Sequence, residues 1–275
     1  MNTTTTTTTT TAGFRSTATP SPVIRDLRAA IRSEWIKLRS VRATAIFAGL
    51  SIVIGVAMSL ILGAVVKTDP YEHLPFTIGN TFLVSIWITT LFAVVAGTLL
   101  FTSEVQHGTL AGALTSRPSK PIIVAAKASV AAGLGFAMGV LGIVGGLVGG
   151  IASGMDAGNT SGAVPGVAWA LVLTTLAAVL GVGVGLIVRH SAAAVTSVLV
   201  WALAVETLVR GFLPATVTRL LPFTAAHGLT GTRSATDTPE ALAAALSNVA
   251  NALVIGCWAA GAVVIGTALW IRQDS

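Results

Sequence analysis

The 275-residue chain is 53% hydrophobic and only 9% charged, with a mean hydropathy of +0.85. Soluble domains carry about 25% charged residues, so an ordinary soluble enzyme or binding module is excluded. The net charge of +6 does not point to nucleic acid either, because the basic residues flank apolar runs instead of forming a soluble basic face.

Residues 1–20 are of low complexity, with an unbroken threonine run at Thr3–Thr11. A segment with so little apolar surface cannot offset its ordering entropy, so the sequence predicts a disordered Thr-rich tail over 1–20. No apolar signal-type core precedes Ala43, and the first apolar run is read as an uncleaved anchor. Between Pro22 and Arg42, residues Ile24, Leu27, Ile31, Trp35 and Leu38 recur at spacings of three and four. That spacing predicts an amphipathic helix over 22–42. Its basic residues, among them Lys37 and Arg39, would point toward anionic headgroups and Trp35 would anchor it in the interface.

Charge-free runs follow at Ala43–Val66, Leu74–Ser103, Ala128–Met155, Ala157–Val188, Ser191–Val205 and Ala241–Ile271. A helix needs about 20 apolar residues to cross roughly 30 Å of hydrocarbon. Backbone groups in lipid must be satisfied within their own segment, which favours helices. The expected fold is therefore an all-α integral membrane protein. Its transmembrane domain covers 21–275, with about six spans near 43–66, 78–101, 128–152, 165–188, 191–209 and 249–271. With the N-terminus inside, twelve lysines and arginines fall on the cytoplasmic side and only Lys67, Arg210, Arg219 and Arg233 outside. The positive-inside rule then places both termini in the cytoplasm, at the plasma membrane. Thr102–Lys127 is the sizeable inner connection. Arg210–Asn248 is an outer one, whose apolar stretch Gly211–Pro222 is too short to cross and is expected to form a re-entrant or interfacial hairpin.

No phosphate-cradling Gly-x-x-x-x-Gly-Lys-Ser/Thr motif occurs, so the chain lacks its own ATPase site. Gly181-Val-Gly-Val-Gly185 lies mid-span, where helix packing is its expected use. Glu104-Val-Gln-His107 has one copy of a spacing that di-metal sites use in pairs, and no metal site, catalytic residue or cofactor is assigned. The glycines of the third span, such as Gly142, Gly146 and Gly150, permit close helix approach within the chain or between subunits. The single cysteine, Cys257, excludes an intrachain disulfide. Glu206 is the acidic residue inside a predicted span, where a charge costs about 2.5–3.5 kcal/mol. Arg210, four residues on, is expected to share its helical face. A local ion pair at the span mouth is one reading, and gating or ion coupling through Glu206 the other.

Three of these segments carry a family resemblance. Ser33-Glu-Trp-Ile-Lys-Leu-Arg-Ser40, the pattern Glu104…Gly108-Thr109-Leu110…Leu114…Pro118…Lys127, and Glu206 followed by Leu213-Pro214 and Leu221-Pro222-Phe223 stand in that order. Together they resemble actinobacterial type-2 ATP-binding-cassette (ABC) exporter permeases, over about residues 24–272. The resemblance implies a six-span permease subunit that pairs with a second permease, like or unlike, and draws force from a separate nucleotide-binding ATPase subunit. ATP and Mg would then sit on that partner. It further implies that Glu104, Gly108, Thr109 and Pro118 belong to the ATPase-coupling element, and that Ile24–Arg42 is the connecting helix. Two other readings remain: a secondary transporter or channel using Glu206, and a non-transporting membrane scaffold or immunity subunit.

Overall fold

The computed structural model describes residues 22–40, 42–68, 77–109, 119–156, 163–231 and 239–272. Among these residues every regular element is a helix, with no strand. In chain order the helices are α1 (Pro22–Ser40), α2 (Arg42–Thr68), α3 (Ile78–Gln106), α4 (Lys120–Ala152), α5 (Ala163–Val188) and α6 (Ser191–Phe212). Then come two short helices, α7 (Ala215–Thr218) and α8 (Pro222–Thr230), the five-residue α9 (Pro239–Ala243), and the long α10 (Asn248–Arg272). The helices α2, α3, α4, α5, α6 and α10 are each long and apolar enough to cross a membrane. The chain is a multi-pass membrane protein. The Thr-rich tail lies outside the described residues.

The helices outrun the charge-free runs that announce them. Helix α3 continues to Gln106 and α4 begins at Lys120, so the expected inner connection Thr102–Lys127 contracts to 107–119. Charge marks where hydrocarbon ends, whereas a helix continues until a residue stops it. Gly108 supplies that stop for α3. Its φ is +67°, its N–H donates to the Val105 carbonyl, and the Thr109 N–H donates to that of Glu104. This is a Schellman closure, which needs a left-handed residue just past the helix end.

Helices α3, α4 and α5 form the buried centre, with α2, α6 and α10 outside them. Helix α2 lies along α4, α10 along α5, and α1 across the first half of α4. Lipid supplies no hydrophobic force between helices, so close van der Waals approach must hold them. On α4, Gly145 meets the Ile52 carbonyl and Gly149 the Val56 carbonyl of α2, with no room for a Cβ at either. Gly97 on α3 and Gly181 on α5 meet each other's helix backbones in the same way, at Ala178 and Val94. Gly97, Gly145, Gly149 and Gly181 thus serve packing within the chain. Buried hydroxyls on α3 are satisfied locally: Thr90, Thr98 and Thr102 each donate to the carbonyl four residues earlier.

Candidate functional site

Four charged residues meet at the end of the bundle where α1 lies. Helix α1 brings Glu34 and Lys37, α3 brings Glu104 near its last turn, and α4 brings Lys127. The Lys127 ammonium sits 2.8 Å from Glu34 Oε2 and 2.7 Å from Glu104 Oε2. Lys37 closes the ring from the other side, 2.7 Å from Glu34 Oε1 and 3.1 Å from Glu104 Oε1. Each carboxylate therefore touches both ammonium groups, and the ring is neutral. The Lys127 side chain is only 1% exposed and that of Lys37 46%, so the first is the pivot and the second a solvated strut. Lys127 also donates to the Leu100 carbonyl at 3.5 Å.

The local sequence explains how the charges come to face one another. On α1 the buried stripe is Ala30, Glu34 and Leu38, four residues apart, with Leu27 and Ile31 beside it. Glu34 thus occupies the centre of a face that should be apolar. Burial works to raise the Glu34 pKa. The Lys127 charge, with hydrogen bonds from Lys127 and Lys37, outweighs it and holds the carboxyl below its ordinary value. Lys37 is likewise pushed down by burial but raised overall by its bonds and charge interactions with Glu34 and Glu104. Lys127 lies one turn or more inside α4, among apolar neighbours. A lone charge within an apolar stretch, opposite a carboxylate on a buried stripe, was the available signal. Sequence reasoning placed Lys37 toward lipid headgroups and Lys127 in the inner-connection pattern, but paired neither with Glu34 or Glu104.

The remaining expected residues at this end disperse. Gly108 and Thr109 are exposed and terminate α3 as described above. Pro118 lies outside the described residues. Trp35 is 43% exposed, on the flank of α1, and its ring edge faces Gly133 of α4. Arg39 is exposed, and among the described residues it makes no ion pair. Trp270 of α10 is buried between Phe101, whose ring it meets edge-on at 5.5 Å, and the Lys120 ammonium.

A second polar centre occupies the opposite end. Glu206 is 2% exposed, and its expected ion pair with Arg210 does not form. Its Oε1 accepts the Trp201 indole N–H at 3.0 Å and the Phe223 N–H at 3.0 Å. Its Oε2 accepts the Thr224 N–H at 2.7 Å and the Thr224 hydroxyl at 3.0 Å. The reason is the N-terminus of α8. Its first residue is Pro222 and its cap, Leu221, has no side-chain acceptor. The end amides Phe223 and Thr224, which have no partner within α8, therefore need an oxygen from elsewhere, and a carboxylate suits the positive end of the helix. Glu206 caps α8 across 17 residues of chain. A π turn at Trp201–Val205 helps, because its i→i+5 geometry stacks Trp201 over Glu206. A cavity of about 130 Å³ opens beside them, lined in part by Trp87, Thr207, Arg210 and His227. In its wall the His227 ring stacks on Trp87 at 3.7 Å. The segment 213–231 folds back on the bundle, with Phe223, Ala225, Ala226 and Leu229 buried and α8 packed on α10, α5 and α3.

Comparison with known proteins bears on both centres. Residues 30–218 match the family described as ABC-2 family transporter protein. The chain belongs to that family. The match spans well over half of the 275 residues and runs from Ala30 in α1 to Thr218 in α7. All four residues of the ion-pair ring and Glu206 fall inside it, whereas the α8 amides and α10 lie beyond. A comparison with curated proteins finds no match. ABC-2 family proteins are membrane components of transport systems, not themselves catalytic, and associate in general with an ABC ATPase subunit.

Proposed function

We propose that this ABC-2 family protein is the permease subunit of an exporter. In this reading it moves a substrate across the plasma membrane with ATP hydrolysed on a separate nucleotide-binding subunit, and a second permease chain, like or unlike, completes the pathway. The observation that carries the proposal is the closed ring of Glu34, Lys37, Glu104 and Lys127. It ties the last turn of α3 to α1 and α4 by a buried pivot, just before the connection 107–119. A force applied to that connection by the ATPase reaches α1 and α4 together, because two buried carboxylates cannot part from one buried ammonium without leaving charges unpaired. The excess of lysine and arginine at this end supports a cytoplasmic orientation, where ATP is available. Glu104 thereby acts in coupling as a positioning residue, and Gly108 and Thr109 set where the rigid helix stops.

Ion-coupled transport through Glu206 is less well supported, because that carboxylate is committed to four donors in capping α8. Its role in this reading is to anchor the 213–231 segment at the outer face.

The test is reconstitution of the full chain with its ABC ATPase in proteoliposomes. ATP hydrolysis should depend on this chain, and a His107→Cys variant in a Cys257→Ala background should cross-link to the ATPase. Transport that persists without ATP and collapses with an ionophore would overturn the reading. So would an ATPase that neither co-purifies nor cross-links, the outcome expected of a scaffold or immunity subunit.

A further inference from the structure

Helix α1 carries a second charged surface that the ion-pair ring leaves unused. At about 100° per residue, its buried stripe is Leu27, Ala30, Glu34 and Leu38. Turning about the axis, the next strip holds Ile24, Ile31 and Trp35, and beyond it Arg25, Arg28, Arg32 and Arg39 fall within an arc of about 60°. All four arginines are exposed. Among the described residues none of them forms an ion pair, since Glu34 and Glu104 are both committed to Lys37 and Lys127. Ile24, Trp35 and Ile36 stand 46%, 43% and 59% exposed beside them.

We propose that this face binds the headgroups of anionic phospholipids, so that α1 is held by ion pairs on both sides: the buried ring toward the bundle and lipid phosphates away from it. Three observations favour lipid over an acidic protein partner. A single residue, 41, separates Ser40 from Arg42, so α1 cannot leave the membrane surface where α2 enters it. The apolar strip with Trp35 lies between the bundle and the arginines, the sequence of layers that an interface presents from hydrocarbon to headgroup. Each arginine near an anionic surface contributes favourably, so four on one face act together. The proposal rests on the reading that places the α1 end at the cytoplasmic membrane surface, and it adds the lipid class that end requires.

The experiment uses the full chain in nanodiscs, without the ATPase, so that failure of coupling cannot be confused with failure of lipid binding. An environment-sensitive fluorophore is attached at Ile36→Cys in the Cys257→Ala background, with spin-labelled lipid as quencher. Replacing about 30% of a zwitterionic phosphatidylcholine bilayer with phosphatidylglycerol should raise quenching about twofold. That gain should vanish near 500 mM salt, where screening is short-ranged, and in the Arg25→Gln, Arg28→Gln, Arg32→Gln, Arg39→Gln variant. Size-exclusion elution of that variant should match wild type, since its substitutions avoid the buried stripe. Equal quenching in both bilayers would overturn the proposal, as would a gain that survives in the four-fold variant. A probe that ignores phosphatidylglycerol but responds when the ATPase is added would assign the arginines to a protein contact, and so also overturn it.

Discussion

Replacing Lys127 by methionine tests the pivot directly. Methionine keeps the volume and apolar stem but leaves Glu34 and Glu104, each about nine-tenths buried, without the ammonium at 2.7–2.8 Å. Removing one partner of a buried ion pair costs about 3–5 kcal/mol. Lys37 still reaches both carboxylates, but its pairs are half solvated and worth about 0–1 kcal/mol. The expected loss for Lys127→Met is therefore near the lower bound, about 3 kcal/mol, or roughly a hundredfold in the folded-to-unfolded ratio. Denaturant titration of the purified chain in mild detergent, followed by tryptophan fluorescence, measures it. The triple variant Lys127→Met, Glu34→Gln, Glu104→Gln removes all three charges at near-constant volume and should return to within about 1 kcal/mol of wild type, because neutral replacement of a buried ion cluster is often without cost. A single variant within about 0.5 kcal/mol of wild type would refute the reasoning. A triple variant no better than the single would do so equally.

Glu206→Ala strips the acceptor from the Phe223 and Thr224 amides and the Trp201 indole. It should cost about 2–3 kcal/mol and speed proteolysis within 213–221, whereas Arg210→Gln should change stability by less than about 0.5 kcal/mol. Equal effects of the two would restore the ion-pair reading. Gly145→Val places a side chain on the Ile52 carbonyl and should cost about 1–3 kcal/mol or prevent assembly. Gly256→Val, with nothing nearby to meet, should be close to neutral in the same titration. The ring also fixes a pH window. The Glu34 pKa is depressed from 4.5, so its contribution is whole above that value and is lost as pH falls through the lower folded value. The Lys37 pKa is raised from 10.5, so its contribution is whole below that value and is lost as pH rises through the higher folded one. The stability difference between wild type and Glu34→Gln should accordingly be flat from about pH 5 to pH 10 and shrink on acidification, which detergent titrations at stepped pH would show.

Six spans were legible in the chain because lipid imposes a single-residue rule: a charge within an apolar run is costly, so runs without charge reveal where hydrocarbon lies. The α3 stop at Gly108 was not read, because the charge-free run ends near Ser103 and the helix does not. On α1 the expected apolar stripe and the buried one overlap only in part. Ile24 and Trp35 belong to its flank, and the hidden centre is the charged Glu34, which hydrophobic spacing alone disregards.

What the chain's order could not reveal were the meetings between distant segments. Glu34 and Lys127 are 93 residues apart, and Glu206 finds the amides of α8 rather than Arg210 one turn away. Composition and spacing determine which stretches lie in lipid, because solvation acts on each segment independently. Only the tertiary arrangement decided which buried charge meets which partner, because a helix-to-helix contact depends on crossing geometry that no single segment encodes.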